Sequence, residues 1–252
     1  MKKIIVVWIV GVMEIIFPWS LFSQSESGLT QGDLNVLYRN EASGSLFIHS
    51  RGLGINFRRG FHVTGEKKRV LEAEFASMRD PKEVKVALNE NSKGYYYGKL
   101  NSLFMLRFGA GRQNILFRRG ERKSVEIRHG LYVGGSICFA KPVYLDILHN
   151  TPGSEPMPLT TEQYDPEFHS MNNIYGRSNF LTGIQKTKLF PGGYAKFNIS
   201  CEFGEKYSDI KSLELGIVAD VYPFPVPVMA YNSRSSYFLT LYASLVIGKK
   251  WY

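Results

Sequence analysis

The stretch YFLTLYASLVIGKKWY, from Tyr237 to Tyr252, changes character at every second residue. Tyr237, Leu239, Leu241, Ala243, Leu245 and Ile247 share one side, and Phe238, Thr240, Tyr242, Ser244, Val246 and Gly248 the other. A repeat of two marks an extended strand, because successive Cβ atoms of a pleated backbone point to opposite faces. The first face is apolar throughout, and the run closes on two lysines and a Trp-Tyr pair.

The same period recurs through most of the chain. Alternating segments run over 45–59, 68–78, 100–117, 124–147, 188–204, 210–222 and 236–250, with a weaker one at 34–40 before them. Their apolar faces include Leu53, Ile55 and Phe57, then Leu71, Ala73 and Phe75, and later Leu213, Leu215 and Ile217. The facing positions carry Arg58, Glu72, Glu74, Arg107, Glu126, Arg128, Lys196, Glu202, Glu214 and Asp220, with glycines between them. Aromatic residues make up 14% of the chain and long Ala/Leu/Glu helical patterns are absent. The expected class is all-β.

Two architectures use such a pattern. A soluble sandwich buries its apolar face and wets its charges, whereas a membrane barrel shows the apolar face to lipid and turns the charges inward. The links at 60–67, 118–123 and 205–209 are short, those at 79–99, 148–187 and 223–235 are longer, and the two kinds alternate. Outer-membrane barrels alternate short periplasmic turns with long external loops, and a sandwich has no reason to. About 9 to 11 tilted residues cross a bilayer, so segments such as 124–147 should project beyond it, and Pro142 would fall in the projecting part.

The start of the chain reads as an export signal. Met1-Lys2-Lys3 precedes an apolar run from Ile4 to Val12, and Pro18 to Gln24 breaks it with small or polar residues. Residues 1–23 are therefore expected to be a signal peptide for Sec-type export, 24–33 a periplasmic segment, and 34–252 the barrel. Glu14 argues against a retained membrane helix, and without a cysteine there a lipid anchor on a processed N-terminal Cys is excluded. After Gln24 no apolar stretch reaches the roughly 18 residues of a transmembrane helix. Cys138 and Cys201 fall on opposite faces by the alternation, which predicts two unpaired, buried thiols.

With this start, the alternation and the aromatic end, the chain resembles small outer-membrane β-barrel proteins of Gram-negative envelopes, those of Bacteroidota in particular. The resemblance implies a closed antiparallel up-and-down transmembrane barrel, recognition of the last strand with Trp251 and Tyr252 by the barrel-insertion machinery, and residence in the outer membrane. The family form commonly ends in Phe where this chain has Tyr252. Counting 34–40 makes eight strands; ten is the alternative, with additional strand structure inside 148–187, around Ile174 to Ile184.

An eight-stranded barrel is just wide enough for side chains to fill. The inward acids and bases are similar in number, and charges held from water must pair. They predict an ion network plugging the lumen, hence a structural or accessory envelope component. A narrow channel or transporter and a lipid-modifying hydrolase are the alternatives. The net charge of +9 gathers at the short turns: FRRG occurs at Phe57–Gly60 and Phe117–Gly120, and Arg59, Lys67, Lys68, Arg69, Arg118, Arg119, Arg122, Lys123, Lys249 and Lys250 make a basic periplasmic rim. Such a rim suits anionic lipid headgroups or an acidic envelope partner. No nucleic-acid motif accompanies it.

No catalytic, cofactor-binding or metal residues are assigned. His49, His62, His129, His149 and His169 lie in no zinc spacing. Asp146 with His149, or His49 with Ser50, could in principle serve a hydrolase, but no G-x-S-x-G elbow supports either pair. The long loop at 148–187 could cap the barrel, bind a ligand or meet another envelope protein. Its aromatics Tyr164, Phe168, Tyr175 and Phe180 are expected to form a mini-core, and YPFPVPVM after Val221 a stiff loop without ladder bonds.

Overall fold

A computed structural model of the chain describes residues 39–87, 92–118, 125–149, 158–203, 208–230, 232 and 235–251. The expected signal peptide and periplasmic segment lie outside them, as do Arg119, Arg122, Lys123, Tyr252 and all of 34–40 but its last two residues. In chain order the strands are β1 (Asn40–His49), β2 (Gly52–His62), β3 (Lys67–Met78), β4 (Lys85–Val86), β5 (Tyr95–Tyr96), β6 (Asn101–Phe117) and β7 (Glu126–Pro142). They continue as β8 (Tyr144–Leu148), β9 (Leu159–Gln163), β10 (Ile174–Arg177), β11 (Lys188–Glu202), β12 (Asp209–Val226) and β13 (Ser235–Trp251).

Eight of these close on themselves in the order β1-β13-β12-β11-β7-β6-β3-β2, every pair antiparallel. Each is followed around the ring by the next barrel strand in the chain, so the topology is an up-and-down barrel without a free edge. The last strand completes it: Asn40 pairs with Trp251 and His49 with Tyr242.

The count of eight is reached differently from the sequence reading. The stretch 45–59 is not one strand but the β1–β2 hairpin, with Ser50 and Arg51 as its two-residue loop. With two residues in the loop each even position faces an odd one, as Leu46 faces Ile55, so the outward positions switch parity, from Leu46 and Ile48 to Leu53, Ile55 and Phe57. His49 clasps this turn: its Nδ1 accepts the Arg51 N–H at 3.3 Å and its Nε2 donates to the Ser77 carbonyl at 3.0 Å. A Cβ at Gly52 would fall 2.3 Å from that same carbonyl oxygen, so only glycine fits. The long-loop end therefore also carries one tight turn, and the strict alternation of link lengths does not hold there.

The additional strands near Ile174 do not enlarge the barrel. β10, β8 and β9 form a separate three-stranded sheet, and β4 pairs with β5. Pro142 ends β7, which has no N–H to donate at that point, and β8 resumes two residues later.

Along the barrel strands the apolar residues point outward and stay exposed, Leu46 by 70% and Ile48 by 73%. The inward positions hold most of the charge and are closed to solvent. Cys138 is buried inside, whereas Cys201 is half-exposed on the outer face, which corrects the expectation of two buried thiols; neither is bridged. Outward parity places Cys201 beside Ile199, where no core exists to bury it.

Candidate functional site

Around the middle of the lumen, inward positions of β2, β3, β6, β11 and β12 converge. Arg107 grips Asp220 with two bonds, Nε to Oδ1 at 2.8 Å and Nη2 to Oδ2 at 2.7 Å, and its Nη1 meets Glu74. Arg58 holds Glu214 in the same two-pronged way at 2.5 and 2.7 Å and reaches Glu72 at 3.2 Å. Lys196 joins the two halves, 2.6 Å from Glu74 and 3.4 Å from Glu72. The planar guanidinium fork matches a carboxylate, which makes these the stronger class of charged hydrogen bond.

Three cations thus face four carboxylates, Glu72, Glu74, Glu214 and Asp220. Neutral donors supply the difference. Tyr194 donates to Glu72 at 2.7 Å, Tyr242 to Glu214 at 2.5 Å, and the Asn56 amide to Glu72 and Glu74. The tyrosine rings need room, and inward glycines leave it: a Cβ at Gly109 would fall 2.3 Å from Tyr194 Oη, and one at Gly216 would fall 2.7 Å from the Tyr242 ring. This explains glycines that alternate with charges along the strands.

Towards the short turns a second set of pairs lines the lumen. Lys68 meets Glu41, Arg128 meets Glu126 and approaches Glu202 to 3.0 Å, and Lys250 bonds Glu202 at 2.6 Å. Glu126 is only half-buried, and the others of the ten inward charges named from the sequence are buried. A cavity of about 20 Å³ lies between this set and the central network, bordered by Ser43, Gln113, Ser200 and Ser212 as well as by the charges. It is large and polar enough for one water. Glu41 Oε2 and, just above the cavity, Ser244 Oγ have no protein hydrogen-bond partner.

Towards the long loops the filling is apolar. Met78, Leu103, Met105, Cys138, Ala140, Tyr222 and Phe238 close the axis, and Val226 and Val228 cover them. These two valines belong to the proline-rich stretch, which is not the unladdered loop expected. β12 runs through it to Val226, whose partner is Ser235. Beyond β12 the chain crosses the mouth to the start of β6, three strands away around the ring. There Leu100 N–H donates to Val228 O at 2.9 Å, Ala230 N–H to Gly98 O at 2.7 Å, and Asn101 Nδ2 to Pro227 O at 2.8 Å. Pro227 lacks a donor but keeps its carbonyl, and that carbonyl helps Val228 and Ala230 tie the strap down.

The long loop holds a mini-core of different membership from that expected. Tyr164 is buried with Tyr95, Leu145, Ile147 and Ile174, but Tyr175 is half-buried and Phe168 and Phe180 are exposed. Period-two patterning in β8 selects Leu145 and Ile147, and Tyr95 arrives from another loop altogether.

Among the described residues the basic rim differs from the sequence list. Lys67, Arg69, Arg118 and Lys249 are exposed, and Arg59 lies 4.3 Å over the Trp251 ring. Lys68 and Lys250 turn inward to their carboxylates, because the parity that sends Val70, Glu72 and Val246 inside sends them there too. Outward parity adds Arg112 and Lys211, which the sequence reading passed over.

The hydrolase candidates do not assemble. Both His49 nitrogens are engaged by backbone groups. His149 Nε2 lies 2.7 Å from both Thr160 Oγ1 and Glu162 Oε1, and a relay would need nucleophile and carboxylate on opposite nitrogens. Asp146 instead accepts from Thr161 at 2.7 Å. Hydrogen bonds from Thr160 and then His149 hold the Glu162 carboxyl at about 2, below its usual range. Among the described residues no cluster of three or more His, Cys, Asp or Glu could hold a metal ion.

No family model matches the chain, and no curated protein matches it. Among solved structures, Neisserial surface protein A aligns at 9% identity and a TM-score of 0.41, over 84% of this chain and 96% of that one. Ail, the attachment invasion locus protein of Yersinia pestis, aligns at 5% identity and 0.38 with the same coverage. The fold rests on the strand pairing itself and not on these likenesses.

Chemically, the arrangement is a sealed tube. Its central charges are spent on each other, and its mouth at the long-loop end is apolar and strapped.

Proposed function

We propose that the chain is an integral outer-membrane β-barrel protein with a filled lumen, serving as a structural or accessory component of the envelope. The observation that carries this reading is the inversion of polarity: a continuous exposed apolar belt outside and buried ion pairs inside. A water-soluble fold of this size would leave that belt in contact with solvent, at a cost of ~25 cal/mol per Å², whereas acyl chains accept it and closure removes every unpaired edge. Lipid covers the belt, the insertion machinery takes the terminal strand, and the short turns lie on the periplasmic side, where Arg59, Lys67, Arg69, Arg118 and Lys249 offer a basic rim to anionic headgroups or to an acidic envelope protein. Arg59 stacked on Trp251 and near Phe61 suits such an interface, where aromatic rings collect.

Planar-bilayer recording tests the filled lumen. The refolded chain is expected to insert without stepwise conductance, and reproducible single-channel steps would replace this reading with that of a narrow channel. The plug of Met105, Tyr222 and Phe238 under the strap favours the closed reading.

A further inference from the structure

The long loop returns to the barrel through residues 178–189, and this return does not stay above the mouth. Phe180 sets its ring edge-on to Phe104 at 6.0 Å, and Phe104 stacks on Phe75 at 5.9 Å. Phe75 and Phe104 occupy outward positions of β3 and β6, so Phe180 extends a row of rings down the outside wall. It also lies 4.9 Å from the Nζ of Lys141, an outward lysine that is nonetheless buried.

The turn is fixed in this place. Ser178 N–H donates to Tyr144 O at 3.1 Å, and Gly183, in the left-handed region at φ 78°, lies so close to the Tyr144 ring that a Cβ would approach it to 2.1 Å. Internal bonds from Thr182 N to Asn179 O, from Ile184 N to Leu181 O and from Thr187 Oγ1 to Ile184 O satisfy part of its backbone. Yet its large apolar side chains stay more than half uncovered by protein: Phe180, Leu181 and Ile184 are 58%, 63% and 53% exposed. Residues 178–189 contain no acid, and Lys186 and Lys188 are exposed beside the apolar three.

We propose that this return is a lipid-interface anchor of the barrel, with Phe180, Leu181 and Ile184 among the upper acyl chains of the outer leaflet and Lys186 and Lys188 at the phosphates of its headgroups. The argument is continuity and charge. The patch prolongs the barrel's apolar belt through three touching aromatic rings, and an apolar turn edged by cations matches an interface whose depth changes from acyl chain to anionic phosphate. The proposal rests on the membrane reading above.

The test uses the full mature region refolded into vesicles of phosphatidylcholine and phosphatidylglycerol whose acyl chains carry bromine near the glycerol or near the methyl end. Leu181→Trp reports on the return and Leu241→Trp on the middle of the belt, each read as the difference from the parent. The expected result is blue-shifted emission from both, with Leu181→Trp losing most intensity to shallow bromine and Leu241→Trp to deep bromine. Adding Lys186→Glu and Lys188→Glu should move the Leu181→Trp emission back to the red. Quenching at position 241 alone overturns the anchor and leaves the membrane barrel standing, and quenching at neither overturns both. A blue shift at 181 that bromine leaves intact and that grows with protein concentration assigns the patch to a second copy of the chain and overturns the proposal. Emission unmoved by the lysine changes overturns the headgroup contact.

Discussion

Between Met105 and Phe238 the barrel axis is filled by apolar side chains, and between Glu41 and Glu202 it is filled by ion pairs beside a cavity of about 20 Å³. The central network sits between the two and shows what the difference requires. Next to the dry plug, Arg107 meets two carboxylates, and Asp220 accepts also from Ser136. Next to the cavity, Glu41 leaves one oxygen without a protein partner. A charge far from water needs a complete set of protein partners, while one beside a hydrated space does not.

The largest expected effect is that of Arg107→Met. It leaves the fully buried Asp220 with only the Ser136 hydroxyl and takes one of two cations from Glu74, and should cost ~3–5 kcal/mol of stability or prevent folding, read as the urea midpoint of the refolded barrel. Lys68→Met removes a partner of equal charge beside the cavity and should cost only ~1–3 kcal/mol. Equal losses for the two would abolish the distinction between a dry and a wet end.

Packing of the rings gives the next effect. Gly109→Val drives a side chain into Tyr194 and the Val133 carbonyl, with an expected loss of ~1–3 kcal/mol. Gly135→Ala, where nothing lies within 4 Å of the added carbon, should stay within ~0.5 kcal/mol in the same assay. Asn101→Ala releases one tie of the strap and should cost ~1 kcal/mol, with faster amide exchange at Leu100 and Ala230 and unchanged exchange at Lys68. Unaltered protection at Leu100 would mean that the strap is held by its valines alone.

The smallest effect belongs to the long loop, which is open to solvent. The Glu162 carboxyl sits at about 2, below its ordinary 4.5, so what it contributes is present above the ordinary value and lost as the pH falls towards 2. His149→Ala should raise that titration towards 4.5, seen by NMR of the carboxyl carbon, with little change in the unfolding midpoint because exposed pairs contribute little. A titration that stays put would leave Thr160, with His169 at 3.3 Å, as its cause.

Strand period, barrel class, inward charges and an apolar outside follow from local pattern, because the pleat alone makes every second side chain share a face. Even the features passed over were written in that parity: the switch between Ile48 and Leu53 marks the hairpin, and the even positions of Lys68 and Lys250 mark them as inward. Tertiary structure alone decided which acid meets which base, since Arg58 and Glu214 lie 156 residues apart and become partners only when the ring closes. The strap across the mouth and Tyr95 in the mini-core have the same origin. They are contacts between segments that no sequence period connects, set by where closure brings the ends of distant strands.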